Sequence, residues 1–122
     1  MRKIILALFL TFTLLTAFAQ PQIVAHRGAW KNTNVPQNSI AALKHAIEQK
    51  VWGSEFDVSL TKDDVLIVNH DNTYQGLDVA TNTYKTLRKK RLSNGEKLPT
   101  AKKYMRTGLK QKHRFLCNFS LT

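Results

Sequence analysis

Carboxylates are scarce in this chain: eight Asp or Glu stand against 19 Lys or Arg in 122 residues, and none follows Glu96. Any acidic chemistry must therefore be carried by residues 1–96. Cysteine is scarcer still. Cys117 is the only one, so no intrachain disulfide can form, and none lies near the N-terminus to take a lipid anchor. Its expected place is that of a small buried hydrophobe. There is no internal repeat and no low-complexity linker. The one long apolar run, Ile4 to Phe18, follows Met1-Arg2-Lys3 and ends within Ala17-Phe18-Ala19, a small-x-small pattern. At roughly 15 residues the run falls short of the ~20 that span a bilayer. Residues 1–19 are accordingly expected to be a cleaved signal peptide, giving an exported, periplasmic or extracellular product with no stable membrane anchor.

The remaining segment, residues 20–122, has a length suited to one small domain or part of a larger one. Without Arg2 and Lys3 it keeps 17 basic residues against eight acidic ones, a formal charge of +9. The excess is local, with 12 Lys or Arg and a single acid between Lys85 and Arg114. Few aromatics interrupt that stretch and no nucleic-acid-binding module is recognisable. It reads as a solvated, anion-attracting face, and no nucleic-acid partner is expected.

Gln22 to Ala25 is an apolar run ending at His26, as expected of a buried strand. Gly28, Asn32, Asn34, Pro36 and Asn38 make the next stretch turn-rich. Asn38 or Ser39 can cap a helix whose apolar positions Ile40, Leu43, Ile47 and Val51 recur at helical spacing, with His45 on its solvated side. Trp52 to Leu60 alternates as a strand, Thr61 to Asp64 is a turn, and Val65 to Val68 is β-branched. Only about seven residues separate Asp57 from Val65, too few for a helical crossover, so the chain must fold straight back. A helix over Thr81 to Leu92, a turn at Asn94-Gly95, a helix opened by Pro99-Thr100 and ended by Gly108, and a strand from Arg114 to Phe119 complete the pattern. Alternating strands and helices predict an α/β protein with a largely parallel sheet.

Chemistry concentrates at predicted strand ends. Glu55 and Asp57, two apart on a strand, share one face, while Phe56 and Val58 face the other way. Paired carboxylates repel unless a cation, a shared proton or an Arg stabilises them, and hard oxygen ligands suit Mg2+ or Ca2+. Arg27, after the first strand, offers a fork for phosphate oxygens, and Gly28 lets the backbone turn. His26 and His70 stand at the ends of two strands, with Asp71 beside the second. Two histidines, a guanidinium and a carboxylate pair are an inventory for acid-base chemistry on a phosphodiester.

His26-Arg27-Gly28, Pro36-Gln37-Asn38-Ser39, Glu55-Phe56-Asp57-Val58, Thr61-Lys62-Asp63-Asp64-Val65, His70-Asp71 and Leu98-Pro99-Thr100 together resemble the glycerophosphodiester phosphodiesterase family, in order from residue 23 to about 105. The resemblance implies a TIM (β/α)8 barrel of the phosphatidylinositol-phosphodiesterase-like type, of which this chain would hold the first three or four strands. It implies hydrolysis of small glycerophosphodiesters to an alcohol and glycerol 3-phosphate, assisted by Ca2+ or Mg2+. By the match, His26 and His70 would be general acid and base in unassigned order, Arg27 would hold the phosphate, and Glu55 and Asp57 would ligate the metal. Two departures stand out. Gln37 replaces the usual Glu, and the family's further metal-ligating Glu, in a Glu-x-Lys strand, has no counterpart in His113 to Thr122. That ending reads as a truncation or a frameshift, which leaves an inactive remnant, or a basic anion-binding module, as the alternatives to an enzyme.

Overall fold

A computed structural model describes residues 21–119. The expected signal peptide lies outside the described residues, and within them no helix is long and apolar enough to cross a membrane. The chain enters as strand β1 (Val24–His26), then turns sharply through Arg27 and Gly28 at φ 58° and 81°. Gly28 is required twice over. Its conformation is left-handed, and a Cβ there would stand 2.8 Å from the Cβ of Ala42. Helix α1 (Ile40–Glu48) follows, capped by Ser39, whose hydroxyl accepts from the Ala42 N–H. Its face of Ala42, Leu43 and Ala46 is buried. Val51 falls beyond the helix end, and His45 is half-buried with an unpartnered, buried Nδ1 rather than solvated.

Strand β2 (Gly53–Leu60) is the centre of the sheet and is buried on both faces for seven of its eight residues. It pairs in parallel with β1, His26 opposite Glu55, and in parallel with β6 (Arg114–Phe119), Asp57 opposite Asn118. The quick return predicted after Leu60 is an antiparallel strand, β3 (Leu66–Val68), with Val58 opposite Val68. A small hairpin, β4 (Thr73–Tyr74) with β5 (Leu77–Asp78), follows.

The helix predicted over Thr81 to Leu92 shrinks to α2 (Tyr84–Leu87). Its surroundings capture the backbone groups that a longer helix would use. Asp78 holds the Thr81 N–H and its own carbonyl accepts from Asn82, while the Lys90 and Arg91 carbonyls accept from Tyr74 and Gln75. Tertiary contacts override a modest helical propensity. Thr100 caps α3 (Ala101–Leu109), which runs past the predicted stop at Gly108. That glycine serves packing instead: a Cβ on it would stand 2.3 Å from the Phe115 ring.

Leu43 of α1, Phe56 and Val58 of β2, Val68 of β3, and Ala101 and Tyr104 of α3 form one core cluster. A second, of Ile67, Tyr74, Val79, Leu87 and Leu98, lies beneath the hairpin. Cys117 is exposed, contrary to expectation, because no described element covers that part of β6.

His113 locks the start of β6. Its Nε2 lies 2.8 Å from the Ser54 hydroxyl, both residues are buried, and burial holds its pKa below the ordinary value. A depressed folded-state pKa makes the neutral imidazole the native form. The contribution to stability is therefore complete above the unfolded value of 6.5 and is lost as pH falls below it towards the folded value. Denaturant midpoints measured from about pH 7 down to about pH 5 should fall, and His113→Asn should flatten that slope. An unchanged slope in the variant would remove His113 as its cause.

Candidate active site

The strand ends collect the chemistry. Left-handed Arg27 aims two of its groups back at β2. Its N–H donates to Glu55 Oε2 at 3.0 Å, and its Nε lies 3.2 Å from Asp57 Oδ2. The second contact is an ion pair rather than an aligned hydrogen bond, since that buried Nε has no hydrogen-bond partner. Nη1 donates to Gln37 Oε1 at 2.9 Å. A non-glycine residue in this conformation costs about 1–3 kcal/mol and persists where its surroundings over-determine it, as these contacts do. One residue thus spans both carboxylates and the loop before α1, its backbone on Glu55 and its guanidinium on Asp57 and Gln37.

Glu55 and Asp57 are 8% and 7% exposed, so their charges depend on these partners. His26 Nε2 approaches Glu55 Oε2 at 3.6 Å from a largely exposed ring, and the Trp30 indole donates to the His26 carbonyl. Asn38, itself buried and at φ 58°, clamps Asp57 from two sides. Its amide nitrogen donates to Oδ2 at 2.9 Å and its amide oxygen accepts the Asp57 N–H at 3.4 Å. From β6, the Asn118 amide donates to Glu55 Oε1 at 2.6 Å.

His26, Arg27, Glu55 and Asp57 are joined by direct contacts. His70 is not: among the described residues its partner is Asp71, whose Oδ1 lies 2.7 Å from Nδ1. Its loop is nonetheless tied to the site, because the N–H of the preceding Asn69 donates to the Asp57 carbonyl at 3.1 Å. With Nδ1 engaged, Nε2 is the atom left to exchange a proton.

Several participants carry no site signal in the sequence. Asn38 has the residue type of a helix cap. Ser39 takes that role, and the buried Asn38 side chain turns to Asp57. Asn118 is uncharged, in a segment without acids, and nothing local marks it. Glu96 is the third. Its carboxylate accepts from the N–H groups of Ile40 and Ala41, at 3.0 and 3.1 Å, and so closes the start of α1 from 56 residues away. Behind β2, Tyr104 is buried with its hydroxyl unpartnered. Burial, with the Glu55 and Asp57 charges adding, raises its pKa far above the ordinary value and keeps it protonated.

No cluster of three or more His, Cys, Asp or Glu able to hold a metal ion occurs among the described residues. The donor set that fits a hard divalent cation is Glu55 and Asp57, with Asn118 beside them. Asp57 Oδ1 carries none of the contacts above, and half a turn of the Asn118 amide would present a carbonyl oxygen. Three oxygens of that kind suit Ca2+ or Mg2+ better than a softer metal.

Parallel strands with covering helices, and an arginine beside two buried carboxylates at their carboxyl ends, define an α/β barrel-type protein. The family model of the glycerophosphoryl diester phosphodiesterase family matches residues 26–120, and the chain belongs to that family. The match runs through β6, further than the motifs alone.

A solved glycerophosphodiester phosphodiesterase of Parabacteroides distasonis is 45% identical, with a TM-score of 0.78 over 83% of this chain and 43% of its own. A curated glycerophosphodiester phosphodiesterase of Caldanaerobacter subterraneus is 55% identical over 51 residues, 42% of this chain and 20% of its own length. An Oleispira antarctica phosphodiesterase, solved with the product sn-glycerol-3-phosphate, shares the fold at a TM-score of 0.74 and 20% identity. This chain thus spans less than half the length of the relatives it matches. Its described residues are part of a TIM barrel, contributing three parallel strands of the sheet.

Proposed function

We propose that this chain carries the phosphate- and metal-facing part of a phosphodiesterase site that hydrolyses glycerophosphodiesters to an alcohol and glycerol 3-phosphate, within glycerophospholipid metabolism. The observation that carries the proposal is Arg27, whose backbone and side chain bind both buried carboxylates at once. That contact fixes the guanidinium at the strand ends, where it can take a phosphate oxygen. His26 and His70 supply the two proton-transfer groups, with Asp71 fixing the His70 tautomer. A divalent cation held by Glu55, Asp57 and Asn118 would polarise the phosphoryl group and acidify a water. Export rests on residues 1–19 acting as a cleaved signal peptide.

A second reading rests on Asn118. An amide in place of a third carboxylate weakens cation binding, and the site then holds phosphate without turning it over. Release of glycerol 3-phosphate from glycerophosphocholine, with and without Ca2+ or Mg2+, decides between them. Under the first reading His26→Ala lowers the rate by about 10²–10⁴-fold and chelator abolishes it. A folded protein with no turnover in either metal would exclude the enzymatic reading and leave the binding one.

A further inference from the structure

Glu96 is held far more firmly than a surface acid needs to be. It closes a tight turn in which Gly95, at φ 83°, donates its N–H to the Leu92 carbonyl at 2.8 Å. The Leu92 N–H in turn meets the Glu96 carbonyl at 2.9 Å. Asn94 grips the acid at both ends, its amide nitrogen donating to Oε1 at 2.8 Å and its amide oxygen accepting the Glu96 N–H at 3.2 Å. Just downstream, Leu98 and Pro99 are fully buried, and the Pro99 carbonyl accepts the Val68 N–H of β3 at 2.9 Å. The turn is thus anchored on the strand that leads into His70. Lys44, Lys97 and Lys103 line the same hollow, yet among the described residues no ion pair engages Glu96. Its two oxygens go to the Ile40 and Ala41 N–H groups instead. The carboxylate serves the helix, not charge balance.

That helix start backs the candidate site on two sides. The Ala42 carbonyl, in the first turn of α1, accepts the Ala29 N–H at 2.9 Å, and Ala42 leaves no room for a side chain on Gly28. The Arg27-Gly28 corner therefore rests directly on the turn that Glu96 closes. On the other side, Asn38 stands two residues before Ile40. It donates its N–H to the Arg27 carbonyl at 2.9 Å while its side chain clamps Asp57, and Gln37 accepts from the Arg27 guanidinium. Arg27 and Asn38 are both left-handed, a conformation that residues other than glycine keep only where their neighbours over-determine it.

We propose that Glu96 is a positioning residue of the phosphodiester site. From the β3 side it fixes the first turn of α1, and through that turn the strained Arg27 and Asn38 that set the guanidinium against Asp57. The catalytic consequence rests on the proposed function, and the geometric one does not.

The test compares Glu96→Ala and Glu96→Gln with Val79→Ala in the full 122-residue chain. Val79 belongs to the core cluster beneath the hairpin, so its truncation lowers stability away from α1, and denaturation midpoints put the variants on one scale. In nitrogen-15-labelled protein, the Asn38 side-chain amide and Arg27 Nε–H signals report the clamp. Both should move in Glu96→Ala, move less in Glu96→Gln, which keeps one oxygen acceptor, and stay in place in Val79→Ala. Should Glu96→Ala not fold, Glu96→Gln carries the same comparison. Signals unmoved by the Glu96 substitutions, or moved equally by Val79→Ala, overturn the proposal. With glycerophosphocholine and Ca2+, kcat should fall on the order of 10–100-fold in Glu96→Ala, the scale of a misplacement of about 1 Å, and hold in Val79→Ala. Moved signals with an unchanged kcat overturn it as well. A wild-type chain without turnover refutes the proposed function instead, and the two signals then decide the role of Glu96 on their own.

Discussion

Asn118→Asp is expected to make the thermal stability of this protein depend on divalent cations. The Asn118 amide donates to Glu55 at 2.6 Å and sits opposite Asp57 in the strand register. An aspartate at that position removes a hydrogen bond to a charged group, worth about 1.5–3 kcal/mol. It also adds a third negative charge beside two buried ones. In chelator the melting temperature should fall, on the order of 10 °C for a domain of this size. Calcium should restore it, because a ligand at a hundred times its dissociation constant contributes about 2.7 kcal/mol. The wild-type melting temperature should respond far less. Thermal scans of both proteins in chelator and in calcium give the answer, and a variant indifferent to calcium would refute a cation site on these strands.

Phe56→Ala is the second large effect, and it acts from the opposite side of the same strand. Phe56 is fully buried, with ring centroids 4.8 Å from Tyr104 and 5.6 Å from Phe115, so it joins β2 to α3 and to β6. Truncating such a residue costs about 3–5 kcal/mol, a large part of the ~5–15 kcal/mol available to a small domain. Urea denaturation should show a strongly lowered midpoint or no cooperative transition. Phe56→Leu, which refills much of the space, should retain the transition. An Ala variant that unfolds at the wild-type midpoint would show that this cluster is not the core on which the carboxylates rest.

The sequence made the site legible where chemistry and periodicity coincide. Glu55 and Asp57 alternate with Phe56 and Val58, so one strand reads as carboxylates on one face and core on the other, and the structure has that arrangement. Arg27-Gly28 after an apolar run likewise announced a sharp turn, and the short return from Asp57 to Val65 announced antiparallel β3. What could not be read depends on distant partners. Nothing local says that the helical signal after Thr81 gives way to the Asp78 turn and to the β4–β5 hairpin. Gly108 resembles a helix stop until Phe115 is placed on it. Asn38 and Asn118 carry no charge to draw the eye, and their importance lies in which acid each one reaches across the sheet.

The grip of Glu96 on the first turn of α1 also sets an order of events. Ile40 and Ala41 wait for an acceptor 56 residues downstream, and at about 5–20 residues per second of synthesis that is a delay of roughly 3–11 s. Through that interval the start of α1 has its local Ser39 cap but not the Glu96 carboxylate. The nascent chain therefore carries both acids of the site before the first turn of α1 has its carboxylate partner. A carboxylate made long after the first helix is the one that closes it.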